Sequence, residues 1–101
     1  MAKRIVWSSR ADQIFTKILA FYVERNGSKT YSRKLNKEVL SIISILSKQP
    51  YLGIKTDTEN LRVVIKGELK IFYQIEKDKL IIHLVWDCRQ NPKSLNIDTK
   101  P

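Results

Sequence analysis

Cysteine, glycine and proline are scarce in this sequence of 101 residues, and each scarcity excludes a class of protein. The single Cys88 cannot form an intrachain disulfide, and no cysteines and histidines have the spacing of metal ligands. Three glycines and three prolines form no flexible linker, so we expect one domain with one hydrophobic core. A lone thiol is typical of a reducing compartment, and we therefore expect a cytoplasmic protein.

Long hydrophobic runs are absent as well. The apolar stretch Ile5-Val6-Trp7 is too short for a signal peptide, although Lys3 and Arg4 precede it. No run reaches the roughly 18 apolar residues that a membrane span needs. The 43% of hydrophobic residues is ordinary for a globular chain. We expect a soluble domain without metal or cofactor.

Positive charge is what the sequence has in excess. Nineteen lysines and arginines against ten acidic residues give a net charge of +9. So large a surplus on a small domain attracts polyanions, and nucleic acid, the ribosome and an acidic protein are the natural partners. A surplus that only keeps the protein soluble is the alternative.

Two amphipathic helices are predicted in the first half of the chain. Ser8 or Ser9 can cap the first helix, and Asn26-Gly27 ends it. Ser28 or Thr30 can start the second helix, and Pro50 stops it. Apolar residues recur at three- and four-residue spacing at Ala11, Ile14, Phe15, Ile18, Leu19, Tyr22, and again at Tyr31, Leu35, Val39, Ile42, Ile43 and Leu46. The short link predicts an antiparallel helical hairpin.

The second half alternates with a period of two. Residues 61–66, 69–76 and 80–86 predict three antiparallel strands joined by short turns. A first strand is predicted at 3–7 and a loop at 49–60. The predicted order is β-α-α-β-β-β, an α+β domain whose hairpin covers one face of a mainly antiparallel sheet. We expect the domain to span residues 1–95 and residues 96–101 to form a flexible tail.

Alternation along these strands predicts a basic surface on the sheet face that the helices leave open. We expect Leu61, Leu69, Leu84 and every second residue from each of them to face the helices. The open face then carries Arg62, Lys66, Lys70, Phe72 and His83, with Arg89 just beyond the last strand.

Such a face could hold nucleic acid, with Lys66 on a phosphate and a base stacked on Phe72. A merely solvated face is the alternative. His83 is the candidate for proton transfer, although a lone histidine in an apolar strand is more often structural. Asp87 and Arg89 are interpreted as a turn-stabilising pair.

Five segments of the sequence form a recognisable series. They are Ile5-Val6-Trp7-Ser8, Glu24-Arg25-Asn26-Gly27, Pro50-Tyr51-Leu52-Gly53, Leu69-Lys70-Ile71-Phe72-Tyr73-Gln74-Ile75 and Val85-Trp86-Asp87-Cys88-Arg89-Gln90-Asn91-Pro92. In this order they resemble the RelE/ParE toxins of bacterial type II toxin–antitoxin systems. The resemblance covers about residues 4–95, and the fold that it implies has the element order predicted above.

The resemblance implies a toxin held silent by a cognate antitoxin, which we expect to be acidic and partly disordered. RelE-like members cut mRNA on the ribosome without a metal, whereas ParE-like members inhibit DNA gyrase and are not nucleases. Our main expectation is RelE-like mRNA cleavage, with gyrase inhibition as the alternative. A non-toxic nucleic-acid-binding module is the third possible function. Because only the first of these functions is enzymatic, the sequence leaves open whether the protein is an enzyme.

The residue types of the nuclease members are only partly present. The resemblance assigns charge stabilisation to Arg62, Lys70 and Arg89. Lys70 lacks the bidentate fork of an arginine, and Val64 stands where a second lysine can occur. Leu95 falls near the position of a catalytic tyrosine. The acid/base half of a nuclease site is therefore missing or moved.

Overall fold

The computed structural model describes residues 2–89, in which two helices pack on one five-stranded sheet. The elements in chain order are β1 (Arg4–Trp7), α1 (Ser9–Asn26), α2 (Thr30–Lys48), a 3-10 turn (Pro50–Leu52), β2 (Ile54–Lys55), β3 (Leu61–Lys66), β4 (Leu69–Ile75) and β5 (Lys79–Asp87). The predicted α+β architecture is confirmed. The predicted tail at 96–101 lies outside the described residues.

The strands lie in the order β1-β5-β4-β3-β2. β1 runs parallel to β5, and the other neighbours are antiparallel, as the mainly antiparallel prediction requires. β2 is a correction, because residues 49–60 were predicted to be a loop throughout. Its two residues, Ile54 and Lys55, pair with Val63 and Arg62 and add an edge strand.

Both ends of α1 follow local signals in the sequence. The Ser8 hydroxyl accepts a hydrogen bond from the Ala11 amide at 3.0 Å and so caps α1. Gly27 ends α1 with φ of 67°, a left-handed conformation that suits glycine. α2 begins at Thr30, and neither a side-chain cap nor an acidic residue occurs in its first turn. The start of α2 therefore keeps its partial positive charge.

The main core lies between the helical hairpin and one face of the sheet. The sheet contributes Tyr73, Leu80 and Ile82, which are fully buried. On the helix side, Phe15 of α1 stacks on Trp7 of β1 with ring centroids 5.6 Å apart. α1 lies chiefly over β5, the strand in the interior of the sheet that pairs with both β1 and β4. The helices therefore cover β5 far better than they cover β3.

A β-bulge at His83 reverses the expected alternation in the second half of β5. Phe72 pairs with Leu84 and Tyr73 pairs with Ile82, so His83 has no partner residue on β4. Ile82 faces the helices as predicted. Beyond the bulge, however, Val85 faces the helices, whereas Leu84 and Trp86 face the opposite side. The predicted orientation of residues 84–86 is therefore wrong.

The orientation predicted for β3 is also wrong. Arg62 lies opposite Tyr73 and Val64 lies opposite Ile71, so residues 62, 64 and 66 share the face of the sheet that the helices cover. The alternate residues of β3 join a second apolar cluster on the other face, formed by Leu61, Phe72 and Leu84. Val63, Trp86 and, from α1, Ile14 pack against it. Apolar contact across β3, β4 and β5 thus fixes this orientation.

No helix within residues 2–89 has the length and hydrophobicity to cross a bilayer. In the same part of the chain, no three histidine, cysteine or acidic side chains come together as metal ligands would.

Candidate functional site

The structure distributes the six sequence-predicted site residues over three places. Arg62 lies beside the segment between α2 and β2. Lys70, Phe72 and His83 belong to the face opposite the helices. Lys66 and Arg89 line a groove at the end of the helical hairpin where α1 and α2 are joined. The prediction that all six share one open surface is therefore wrong.

Arg62 is occupied by contacts within the protein. Its guanidinium donates to the Gly53 carbonyl at 2.7 Å and lies 4.9 Å from the centre of the Tyr51 ring. The neighbouring strand residue Tyr73 binds the same segment, since its hydroxyl donates to the Pro50 carbonyl at 2.7 Å. Arg62 thus holds a loop in place, and both its hydrogen bond and its stacking oppose a role in binding phosphate.

Phe72 and Lys70 do not form the predicted base-stacking surface. Phe72 is only 3% exposed, because it packs with Leu61 and Leu84 in the second cluster. A base cannot stack on a ring that neighbouring side chains cover. Lys70 lies half-buried opposite Trp86, on the same face.

His83 is held by a neighbouring amide. Its Nε2 lies 2.8 Å from the Gln74 side-chain oxygen, and Gln74 in turn donates to Glu76 at 3.2 Å. Burial lowers the pKa of His83 below its ordinary value, and the nearby Glu76 carboxylate opposes that shift only partly. The residue therefore fits a structural role better than proton transfer.

One concave surface of the described residues is what we name the hairpin-end groove. It has an inner part of about 180 Å³, lined by Tyr22, Tyr31, Lys34, Leu35, Glu38, Lys66, Gly67, Glu68, Leu69, Asp87 and Arg89. An outer part of about 370 Å³ is lined by Tyr22, Arg25, Asn26, Tyr31 and Arg89. The end of α1, the start of α2, the β3–β4 turn and the end of β5 thus meet at one place.

A buried carboxylate organises the groove. Asp87, 5% exposed, accepts a hydrogen bond from the Tyr22 hydroxyl at 2.6 Å and another from the Arg89 amide at 3.0 Å. Burial first, and the Asp87 carboxylate second, raise the pKa of Tyr22 to about 12. The bond to the Arg89 amide agrees with the predicted turn-stabilising pair, and it sets the direction in which the chain leaves β5.

Aromatic rings line the wall of the groove. Tyr22 and Tyr31 meet edge to face with centroids 4.9 Å apart. The Arg89 guanidinium lies 5.6 Å from the centre of the Tyr31 ring and stays exposed to solvent. The pKa of Arg89 is raised, chiefly by Tyr31, so its charge persists. A cation on a ring next to open space is available to an incoming anion.

Sequence reasoning missed Tyr22 and Tyr31 as groove residues. It assigned them only to the apolar stripes, which is where their rings lie, and overlooked the hydroxyl of Tyr22 that binds Asp87. Two tyrosines flanking the turn between two predicted helices were the available signal, since a buried tyrosine hydroxyl usually requires a partner.

Comparison with known proteins identifies the family to which this chain belongs. A family model described as the ParE toxin of the type II toxin–antitoxin system parDE matches residues 5–92. The chain belongs to this family, which confirms the resemblance found in the sequence.

A solved structure shares the fold. The chromosomal ParDE toxin–antitoxin system from P. aeruginosa superposes with a TM-score of 0.74 at 12% identity, covering 85% of this chain and 96% of that one. No curated protein matches the sequence.

Proposed function

We propose that this ParE-type toxin acts by inhibiting DNA gyrase. The observation that carries the proposal is the family match over residues 5–92, which belongs to the ParE branch of the superfamily. Gyrase inhibition is thus preferred to mRNA cleavage, which was the main expectation from the sequence. The same membership supports a cognate antitoxin as partner and action in the cytoplasm, where gyrase works.

The positions of the basic residues support this choice. An mRNA-cleaving toxin needs several cations around one phosphate, together with a group that moves a proton. Arg62 is bound to the Gly53 carbonyl, and Lys70 lies on the face opposite the hairpin-end groove. Of the three residues assigned to charge stabilisation, Arg89 alone lines that groove.

The test measures both activities with the same preparation. Purified toxin is added to gyrase, ATP and relaxed plasmid, and to a cell-free translation reaction whose mRNA ends are mapped. We expect supercoiling to fall with increasing toxin while the mRNA stays intact. Ribosome-dependent cuts within codons, with normal supercoiling, would overturn the proposal.

A charge-matched pair of variants sharpens the result. Lys70→Gln and Lys17→Gln each remove one positive charge from an exposed or half-buried lysine. Under gyrase inhibition we expect both variants to keep toxicity, because the role assigned to Lys70 belongs to the nuclease function. A Lys70→Gln protein that folds, binds antitoxin and has lost toxicity would favour the nuclease function instead.

A further inference from the structure

We propose that the outer part of the hairpin-end groove binds a carboxylate of the antitoxin, supplied by an aspartate or glutamate side chain. This inference rests on the proposed antitoxin partner and adds the chemistry of one contact. It does not depend on which target the toxin inhibits.

The outer part of the groove offers hydrogen-bond donors. Its lining consists of the Arg25 and Arg89 guanidiniums, the Asn26 amide and the phenols of Tyr22 and Tyr31, without an acidic residue. Guanidinium forks bind planar carboxylates through two parallel hydrogen bonds. The ion pair of Glu76 with Lys79 lies at the opposite end of β5. Glu68 contributes least to the raised pKa of Arg89, and it lines the inner part of the groove but not the outer part.

The arginine at the centre of this lining is fixed before any partner arrives. Asp87 anchors the Arg89 backbone at 3.0 Å, and the Tyr31 ring supports its guanidinium at 5.6 Å. Tyr22 already satisfies the other carboxylate oxygen of Asp87. A side chain held in this way loses less conformational freedom on binding.

The start of α2 adds to the positive potential at the same place. Its first turn holds no acidic residue, and its N-cap residue Lys29 makes no side-chain hydrogen bond to the helix. The backbone amides there carry the positive end of the helix dipole, which favours an anion nearby. The dipole thus acts in the same direction as the two arginines.

The inner part of the groove decides between a protein and a nucleic acid as occupant. There, Glu38 and Glu68 alternate with Lys34 and Lys66. A phosphate backbone carries a charge at every nucleotide and would meet the two glutamates. A polypeptide can place one carboxylate on the arginines and neutral or basic residues opposite the glutamates. This charge pattern therefore favours an acidic peptide.

The experiment uses the full chain and three defined probes. Amide chemical shifts are followed while a blocked alanine–glutamate tetrapeptide, its glutamine counterpart or a thymidine oligonucleotide is added. We expect the glutamate peptide to shift the amides at the end of α1 and the start of α2 with saturation, and the glutamine peptide not to. Tighter binding of the oligonucleotide at the same amides would overturn the proposal in favour of nucleic acid.

Charge-matched variants locate the contact. Arg25→Gln and Arg89→Gln should each weaken peptide binding about threefold, and the double variant about tenfold. Lys17→Gln removes the same charge from the exposed side of α1 and should change the affinity much less. Equal losses in all three single variants would mean attraction to the net charge alone and would refute a defined site. A failed gyrase assay would leave this titration unaffected, so the two proposals fail separately.

Discussion

Tyr73 and Arg62 lie directly opposite each other on β4 and β3, and both side chains hold the segment between α2 and β2. The Tyr73 hydroxyl donates to the Pro50 carbonyl and accepts from the Gly53 amide, at 2.7 and 2.9 Å. Arg62 donates to the Gly53 carbonyl at 2.7 Å and to the Tyr51 carbonyl at 3.5 Å. Four hydrogen bonds to two cross-strand neighbours therefore fix a segment that has little regular structure of its own.

Replacing Tyr73 with phenylalanine should destabilise the protein. The change keeps the buried ring but leaves the Gly53 amide, which is also buried, without its acceptor. We expect a loss of about 1–3 kcal/mol in the free energy of unfolding, measured by urea titration with an unchanged slope. The control is Tyr51→Phe, because Tyr51 is 70% exposed and should change stability by less than about 0.5 kcal/mol. Equal stability of both variants would contradict the assignment.

Replacing Gly53 with alanine should also destabilise the fold, through a clash. An added Cβ would lie 2.5 Å from the Tyr73 hydroxyl, and 2.8 Å both from Cε1 of the same ring and from the Val63 carbonyl oxygen. We expect a loss of about 1–3 kcal/mol, the usual cost of overpacking. Combining Gly53→Ala with Tyr73→Phe removes the closest contact, so the double variant should lose less stability than the sum of the single losses. Strict additivity would show that the hydroxyl is not what the methyl group meets.

The predicted helices match the structure because their signals are local. The capping hydroxyl of Ser8 and the left-handed Gly27 act within one turn of their helix. The faces of the strands were not predictable in this way. In residues 61–66, apolar side chains occur at both odd and even positions, and residues 81–86 are nearly all apolar. Alternation alone therefore does not decide which face of each strand the helices cover. Contacts across three strands and the bulge at His83 decide it.

The groove was only partly predictable for a similar reason. Lys66 and Arg89 were identified as basic residues, but their predicted neighbours were those of the opposite face. Four separate segments form the groove, and they meet only once the hairpin lies across the ends of β3 and β5. The hydrogen bond between Tyr22 and Asp87 joins residues 65 positions apart. No periodic pattern reports such a distant pair.

Replacing Tyr22 with phenylalanine should remove about 1.5–3 kcal/mol of stability, because the buried Asp87 carboxylate loses a donor. The raised pKa, about 12, means that the neutral phenol is favoured in the folded protein. The stability that this hydrogen bond contributes is fully present below pH 10.0, the ordinary pKa of tyrosine. It is lost as the pH rises from there towards 12. The stability difference between wild type and variant should therefore shrink over this range. Burial raises the pKa of Tyr73 as well, so tyrosinate absorbance should show two late-ionising phenols in the wild type and one in Tyr22→Phe. Two late-ionising phenols in both proteins would refute the assignment.

The His83 imidazole should titrate below its ordinary pKa of 6.5, because burial disfavours the charged ring more than Glu76 favours it. The neutral form is then preferred in the folded state. The stability that the neutral ring contributes is fully present above pH 6.5. It is lost as the pH falls through the lower pKa that His83 has in the folded protein. The chemical shifts of the ring C–H protons measure the titration midpoint of His83 directly. In His83→Gln, the free energy of unfolding should fall less steeply as the pH is lowered below 6.5. The same variant should inhibit gyrase as wild type does, because the proposed gyrase inhibition involves no proton transfer by His83. A midpoint above 6.5 would mean that Glu76 outweighs burial, and it would restore His83 as a candidate for proton transfer.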